Sequence, residues 1–239
     1  MKLTFHGTLS STPYGNPRHS RQSMLEVAYG GRRLLIDCGS NWLGRLPFID
    51  PVALLLTHAH DDHVGGLVRG APCPVYAHAA TWEKICRFPL LWRVLVTPQQ
   101  PFFIAGIRLQ AFVLQHSPRA PAVGYRIQAG RSTVFYCPDV ARIPDRDRVL
   151  RGVELFIADG ASVHRSLLRF EDGMLYGHAS LFTQLQWCAE QRVPCMLASH
   201  CGEEIIENES RIVHQLQHRA RKLRVKADIA HDGMTLKLP

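Results

Sequence analysis

The sequence contains no CxxC pair, although seven cysteines are spread along its 239 residues, at positions 38, 73, 86, 137, 188, 195 and 201. An odd, scattered set argues against a disulfide framework and against a structural zinc knuckle, and most of these thiols are expected to act as small buried hydrophobes. Two fall near residues that matter below, since Cys137 precedes Asp139 by two positions and Cys201 directly follows His200. Long apolar runs are also missing. The longest apolar stretches, such as Val52 to Leu56 and Leu90 to Val96, are far too short to cross a bilayer. The opening Met-Lys-Leu-Thr-Phe-His-Gly lacks a basic segment followed by an apolar one, so neither a secretory signal nor a membrane partner is expected, and the expected location is cytoplasmic. Low-complexity tracts, long linkers and short-period repeats are absent too, which leaves one catalytic domain over 1–239 as the expectation.

Positive charge and histidine are abundant. Lys and Arg number 28 against 20 Asp and Glu, a formal net charge of +8. Such a field draws anionic substrates and raises their encounter rate, and it also fits nucleic acid; a homodimer is compatible with it. Arg18, Arg21, Arg32 and Arg33 form one basic cluster. A second lies on the polar face of a helix expected over 209–223, with Arg211, His218, Arg221 and Lys222. Charged faces of this kind are more often merely solvated, and no established nucleic-acid-binding motif accompanies them.

Hydrophobic patterning gives the elements. Lys2 to His6, Met24 to Tyr29 and Arg33 to Asp37 read as strands, the last two joined across Gly30-Gly31. Val52 to Leu56 is a continuous apolar run of the kind found in strands buried on both faces. Further strands are expected at Val75 to Ala77, Ile107 to Leu114, Ala122 to Gln128, Thr133 to Cys137, Val153 to Ala158 and Cys195 to Ser199. Helices are expected at Ala79 to Cys86, Leu181 to Gln191 and Glu209 to Leu223, and Lys226 to Leu238 reads as a pair of short strands around His231-Asp232-Gly233. Strand-rich segments followed by helices occur twice, which predicts an α/β (α+β) chain folded as a four-layer αββα sandwich.

Directly after the buried run, Thr57-His58-Ala59-His60-Asp61-Asp62-His63 packs three imidazoles and two carboxylates into six positions. In an extended loop His58 and His60 project to the same side, while Asp62 and His63 turn toward a second cation. Imidazole with carboxylate suits zinc, and also manganese or iron. This segment resembles the His-x-His-x-Asp-His signature of the metallo-β-lactamase superfamily. Along that resemblance Asp37 corresponds to a strand-end aspartate that supports the metal loop. His116, Asp139 and His200 correspond to the later ligands. The resemblance implies the metallo-β-lactamase fold and two divalent cations, Zn²⁺ or Mn²⁺ with Fe as an option. One would be held by His58, His60 and His116 and the other by Asp62, His63 and His200, with Asp139 bridging.

Three further segments resemble the branch that holds ribonuclease Z and the cyclic phosphodiesterases of phosphonate breakdown: Gly177-His178-Ala179-Ser180, Asp232-Gly233-Met234, and the loop opening at Phe5-His6-Gly7-Thr8. The chain lacks the long inserted arm of bacterial ribonuclease Z and the cysteine cluster of many phosphonate-pathway members. The resemblance therefore implies a compact phosphodiesterase in which a hydroxide bound by both metals attacks phosphorus, with Asp62 and His178 as catalytic residues and His178 acting on the leaving oxygen. A ribonuclease Z-like endoribonuclease, a thioester or lactone hydrolase, and a non-catalytic metal-binding relative are the alternatives. His231 could be a supporting or packing residue, and Asp159 could orient a metal-bound histidine.

Overall fold

The computed structural model describes residues 1–171 and 173–239. Numbered along the chain, its first half holds β1 (Lys2–Gly7), β2 (Met24–Tyr29), β3 (Arg32–Ile36), β4 (Ala53–Leu55), α1 (Asp61–Val64), β5 (Val75–Ala77), α2 (Ala79–Lys84) and β6 (Arg93–Leu95). Then come β7 (Pro101–Ile104), β8 (Ile107–Leu114), β9 (Ala122–Ala129), β10 (Ser132–Tyr136), α3 (Arg146–Leu150), β11 (Leu155–Asp159), β12 (Leu167–Glu171) and β13 (Met174–His178). The remainder is α4 (Leu181–Glu190), β14 (Cys195–Ser199), α5 (Glu203–Lys222), β15 (Lys226–Ile229) and β16 (Thr235–Lys237). Two seven-stranded sheets form, ordered β16-β1-β2-β3-β4-β5-β6 and β15-β14-β11-β10-β9-β8-β7, and β12 pairs with β13 in a separate hairpin.

The continuous apolar runs are explained by burial on both faces. Side chains alternate across a strand, so Leu34, Ile36, Ala53 and Leu55 face the core between the sheets, against Val123, Tyr125, Val134 and Ile157. Leu35, Leu54 and Leu56 face the other way and pack against Trp42, Leu46, Val64, Leu67 and Ile85. The second sheet does the same, turning Phe135, Phe156, Met196 and Ala198 toward Leu181, Leu185, Ile212 and Leu216 of α4 and α5. Three apolar cores separate four layers, as the αββα pattern requires.

One expectation needs correction. The last long helix starts at Glu203 rather than Glu209, with a break at Asn208 (φ −136°, ψ 33°). Ile205 is the one buried side chain before that break, too little to show an apolar period. The two short terminal strands form where expected, in different sheets: β15 joins the second beside β14 and β16 joins the first beside β1, so residues 230–234 carry the chain between sheets. The β12–β13 hairpin was not anticipated. Leu167, Leu168, Phe170 and Met174 are all exposed there, so no buried face imprints a period on the sequence. The short β6, β7 and α3 were likewise not anticipated.

Candidate metal centre

Both sheets deliver donors to one end of the sandwich. After β4 the chain bends at Thr57, His60 is extended (φ −78°, ψ 150°), and α1 begins at Asp61. His58 and His60 therefore precede the helix while Asp62 and His63 ride its first turn. His58 Nε2 lies 3.0 Å from His60 Nδ1, the same-side projection that the alternation predicts. His116 follows β8 and brings its Nε2 to 3.3 Å from His60 Nδ1. Asp139 follows β10 and His200 follows β14.

The second group is as tight. Asp62 Oδ2 lies 3.0 Å from His200 Nε2 and 3.5 Å from His63 Nε2. Asp139 stands between the groups, with Oδ2 2.9 Å from His63 Nε2 and Oδ1 3.5 Å from His116 Nε2. The donor atoms of His58, His60 and His116 lie within 4.8 Å of one another, as do those of Asp62, His63 and His200. The fit to cations is supported by what these atoms lack. His63 Nε2 and Asp139 Oδ2 are fully buried and neither has a hydrogen-bond partner despite their proximity. Buried polar groups are seldom left so, and a cation between them would satisfy both.

Electrostatics agrees. Burial holds His58 and His60 below the ordinary imidazole value and takes His116 down to about 4, so these rings are neutral and free to donate lone pairs. Burial also opposes charge on His63 and His200, but Asp62 and Asp139 outweigh it and raise both, His200 to about 10. Burial pushes both carboxylates up, yet the same histidines hold them low. This corner thus draws positive charge, whether protons or a divalent cation.

Two further aspartates fix the rings. Asp37 accepts from Thr57 N at 2.8 Å and from His63 Nδ1 at 2.9 Å. Asp159 accepts from His178 Nδ1 at 2.8 Å, more distantly from His200 Nδ1 at 3.4 Å, and from the backbone of Val140 and Ala161. Asp37 (φ 64°) and His200 (φ 55°) both adopt the left-handed region, which costs such residues about 1 kcal/mol or more and is typical of functional positions.

These groups open into a cavity of about 690 Å³ whose wall includes His60, Asp62, His116, Asp139, His178 and His200. Thr12, in the first loop, lines it too; Ser10, Ser11, Asp61, Leu167, Glu203 and Glu204 complete much of the rest and carry no sequence signal of their own, although Asp61 sits inside the histidine motif and Glu203 three residues after His200. Ser10 donates to Cys201 O from its N at 3.2 Å and its Oγ at 3.0 Å, and on either side of that loop Asp232 accepts from Thr8 N, Thr8 Oγ1, Ser20 N, Ser20 Oγ and Arg21 N at 2.8 to 3.0 Å. His231 lies outside the cavity and bonds its neighbour's carbonyl. The thiols of Cys137 and Cys201 are buried, which pushes them well above their usual range, and neither belongs to a donor group among the described residues.

Residues 32–201 match the model of the beta-lactamase superfamily domain, and the chain belongs to the metallo-β-lactamase superfamily, the class of hydrolases with a His/Asp metal-binding motif. A ribonuclease Z from Methanopyrus kandleri is 29% identical over 171 residues, 63% of this chain and 60% of that protein. Zinc-bound PqqB from Methylobacterium extorquens superposes with a TM-score of 0.77 at 18% identity over 100% of both chains. A diphosphatase of the PhnP family gives 0.73 at 20%, covering 98% of this chain and 96% of that one. At such identities these structures share the metallo-β-lactamase fold, two mixed sheets flanked by helices. The chain spans 24% to 60% of the length of the first three curated relatives it matches.

Proposed function

We propose that this chain is a phosphodiesterase using two divalent cations, Zn²⁺ or Mn²⁺, with Fe as a further option. The carrying observation is His178. Its Nδ1–H donates to Asp159 at 2.8 Å, its Nε2 has no partner among the described residues, and it shares the cavity with Asp62 and Asp139. Burial disfavours protonation of this ring, but the Asp159 carboxylate outweighs burial and raises its pKa. A protonated imidazole facing a cavity is a proton donor for a departing alkoxide.

Cations held by His58, His60 and His116 and by Asp62, His63 and His200, with Asp139 between, would supply water activation near neutral pH and charge stabilisation at phosphorus. The Asp62 carboxylate oxygen left free by the cation would accept a proton from the attacking water, and His178 Nε2 would give one to the leaving oxygen. Asp159 keeps His178 in the tautomer that leaves Nε2 outward. A ribonuclease and a diphosphatase among the relatives support the reading.

His178→Ala tests it. The variant should keep its metal, lose ~10²–10⁴-fold in turnover on an alkyl or nucleoside diester, and lose far less on a p-nitrophenyl ester whose leaving group needs no proton. Equal losses on both would defeat the acid role. A second reading, hydrolysis of a thioester or lactone, draws on the lack of lysine and arginine in the cavity wall among the described residues. Assaying a thioester and a lactone beside bis-p-nitrophenyl phosphate separates the two.

A further inference from the structure

Chain and cavity differ in charge. The sequence carries +8 overall, yet no lysine or arginine lines the main cavity among the described residues. Its wall instead adds Asp61, Glu203 and Glu204 to the cation-holding Asp62 and Asp139. Three arginines of the basic surface are committed elsewhere. Arg18 pairs with Glu209 at 2.8 Å, Arg21 lies over the Trp42 ring and Arg219 over that of Phe182. Arg165 and Arg169 line two smaller recesses, of about 310 and 490 Å³; the first shares Ser162, Leu167 and Glu204 with the cavity, and the second shares Leu167 and His178.

The three added carboxylates are not equivalent. Glu204 is occupied, accepting from Val163 N at 2.9 Å and from His164 Nδ1. The side chains of Asp61 and Glu203 have no partner among the described residues, and both residues are exposed. Ser11, exposed beside them, adds a hydroxyl. The same cavity contains buried Asp139 with its unpartnered Oδ2, so whatever is held at that carboxylate shares the cavity with these two free charges.

We infer that Asp61 and Glu203 are specificity-determining residues that select phosphodiesters whose alcohol carries hydrogen-bond donors, hydroxyl or ammonium, and reject those carrying a second phosphate. The inference rests on the phosphodiesterase reading above. One negative charge at the scissile phosphorus is matched by the cation-holding groups. A second anionic group in the cavity meets free carboxylates, and like charges brought together oppose binding, whereas an ammonium or hydroxyl gains an acceptor. This selectivity points to small diesters rather than a polynucleotide threaded through the cavity.

The test compares kcat/KM on matched p-nitrophenyl esters with the full chain loaded with Zn²⁺ or Mn²⁺. Thymidine 5′-(p-nitrophenyl phosphate) is set against the same compound bearing a 3′-phosphate, and the ethyl ester against the glycerol and ethanolamine esters. The wild type should favour the compound without the 3′-phosphate, and should favour ethanolamine or glycerol over ethyl; which of those two leads tells ammonium from hydroxyl recognition. Glu203→Gln should shrink each preference by about two- to fivefold, the range of an exposed charge pair, and Glu203→Lys should shrink them further. Each ratio comes from one preparation, so partial misfolding cancels. Equal or better turnover of the 3′-phosphorylated compound by the wild type, or ratios that Glu203→Lys leaves unmoved, would overturn the inference while leaving a phosphodiesterase in place. Turnover of none of the esters would remove the phosphodiesterase reading, and the inference with it.

Discussion

A carboxylate that holds a histidine changes both its direction and its proton affinity, and Asp159 does this for His178. Asp159→Asn keeps the shape but removes the charge. We expect kcat on an alkyl diester to fall about 10²-fold, the low end for a general acid, with KM little changed. Because the carboxylate raises the pKa of His178, its loss should move the alkaline limb of the pH–rate profile to lower pH. A limb that stays put would show that Asp159 serves packing alone. Glu26 offers a stability test far from the chemistry. His6 Nε2–H donates to it at 3.0 Å and lowers its pKa, against the opposing effect of burial. A depressed carboxylate stabilises the fold above its unfolded pKa of about 4.3, and that stability is lost as pH falls through the folded value. Wild type should therefore exceed Glu26→Gln in denaturant midpoint at pH 7, and the gap should close below about pH 4. An unchanged gap at low pH would assign the effect to shape instead of charge.

Elements differ in how far their sequences announce them. The strands that carry His58, Asp139 and His200 were legible because residues such as Leu54, Phe135 and Leu197 are buried on alternating faces and leave unbroken apolar runs. The histidine motif was legible because its donors are neighbours in sequence. The cavity wall was not, since Ser10, Leu167 and Glu203 come from three distant loops and elements with no shared pattern. The hairpin that ends at His178 was invisible for the same reason that it is exposed. Gly177 shows what that hairpin demands: its φ is 105°, and a Cβ there would sit 1.9 Å from the Leu167 carbonyl oxygen. It also donates its N–H to His116 O at 2.7 Å. Gly177→Ala should thus push β13 off β12, displace His178 and depress turnover at least as much as His178→Ala. The metal content should fall only if His116 moves too. Wild-type turnover in the alanine variant, measured on an alkyl diester, would contradict this account of the hairpin.

At the scale of the molecule, the donor groups bridge the two sheets: His58 to His63 follow a strand of the first, while His116, Asp139 and His200 follow strands of the second. Cations bound there engage only the stacked state, so they stabilise it by mass action, by about 2.7 kcal/mol when free metal is a hundredfold above its Kd. Chelation should lower Tm by several degrees, re-addition of Zn²⁺ or Mn²⁺ should restore it, and Asp139→Ala should blunt the response. A Tm indifferent to chelator in metal-loaded protein would mean that the groups hold nothing. Asp232 adds a consequence for how the molecule comes into being. Its bonds reach Thr8, Ser20 and Arg21 across 211 to 224 positions. Contacts so remote in sequence require large loops to close, and proteins built on them fold slowly. During synthesis the histidine motif leaves the ribosome while Asp232 has yet to be made, so the bonds that fix Thr8, Ser20 and Arg21 form only after Asp232 emerges. A nascent chain would then meet cellular metal with its histidine motif exposed while the segment around Thr8 and Ser20 is still unfixed.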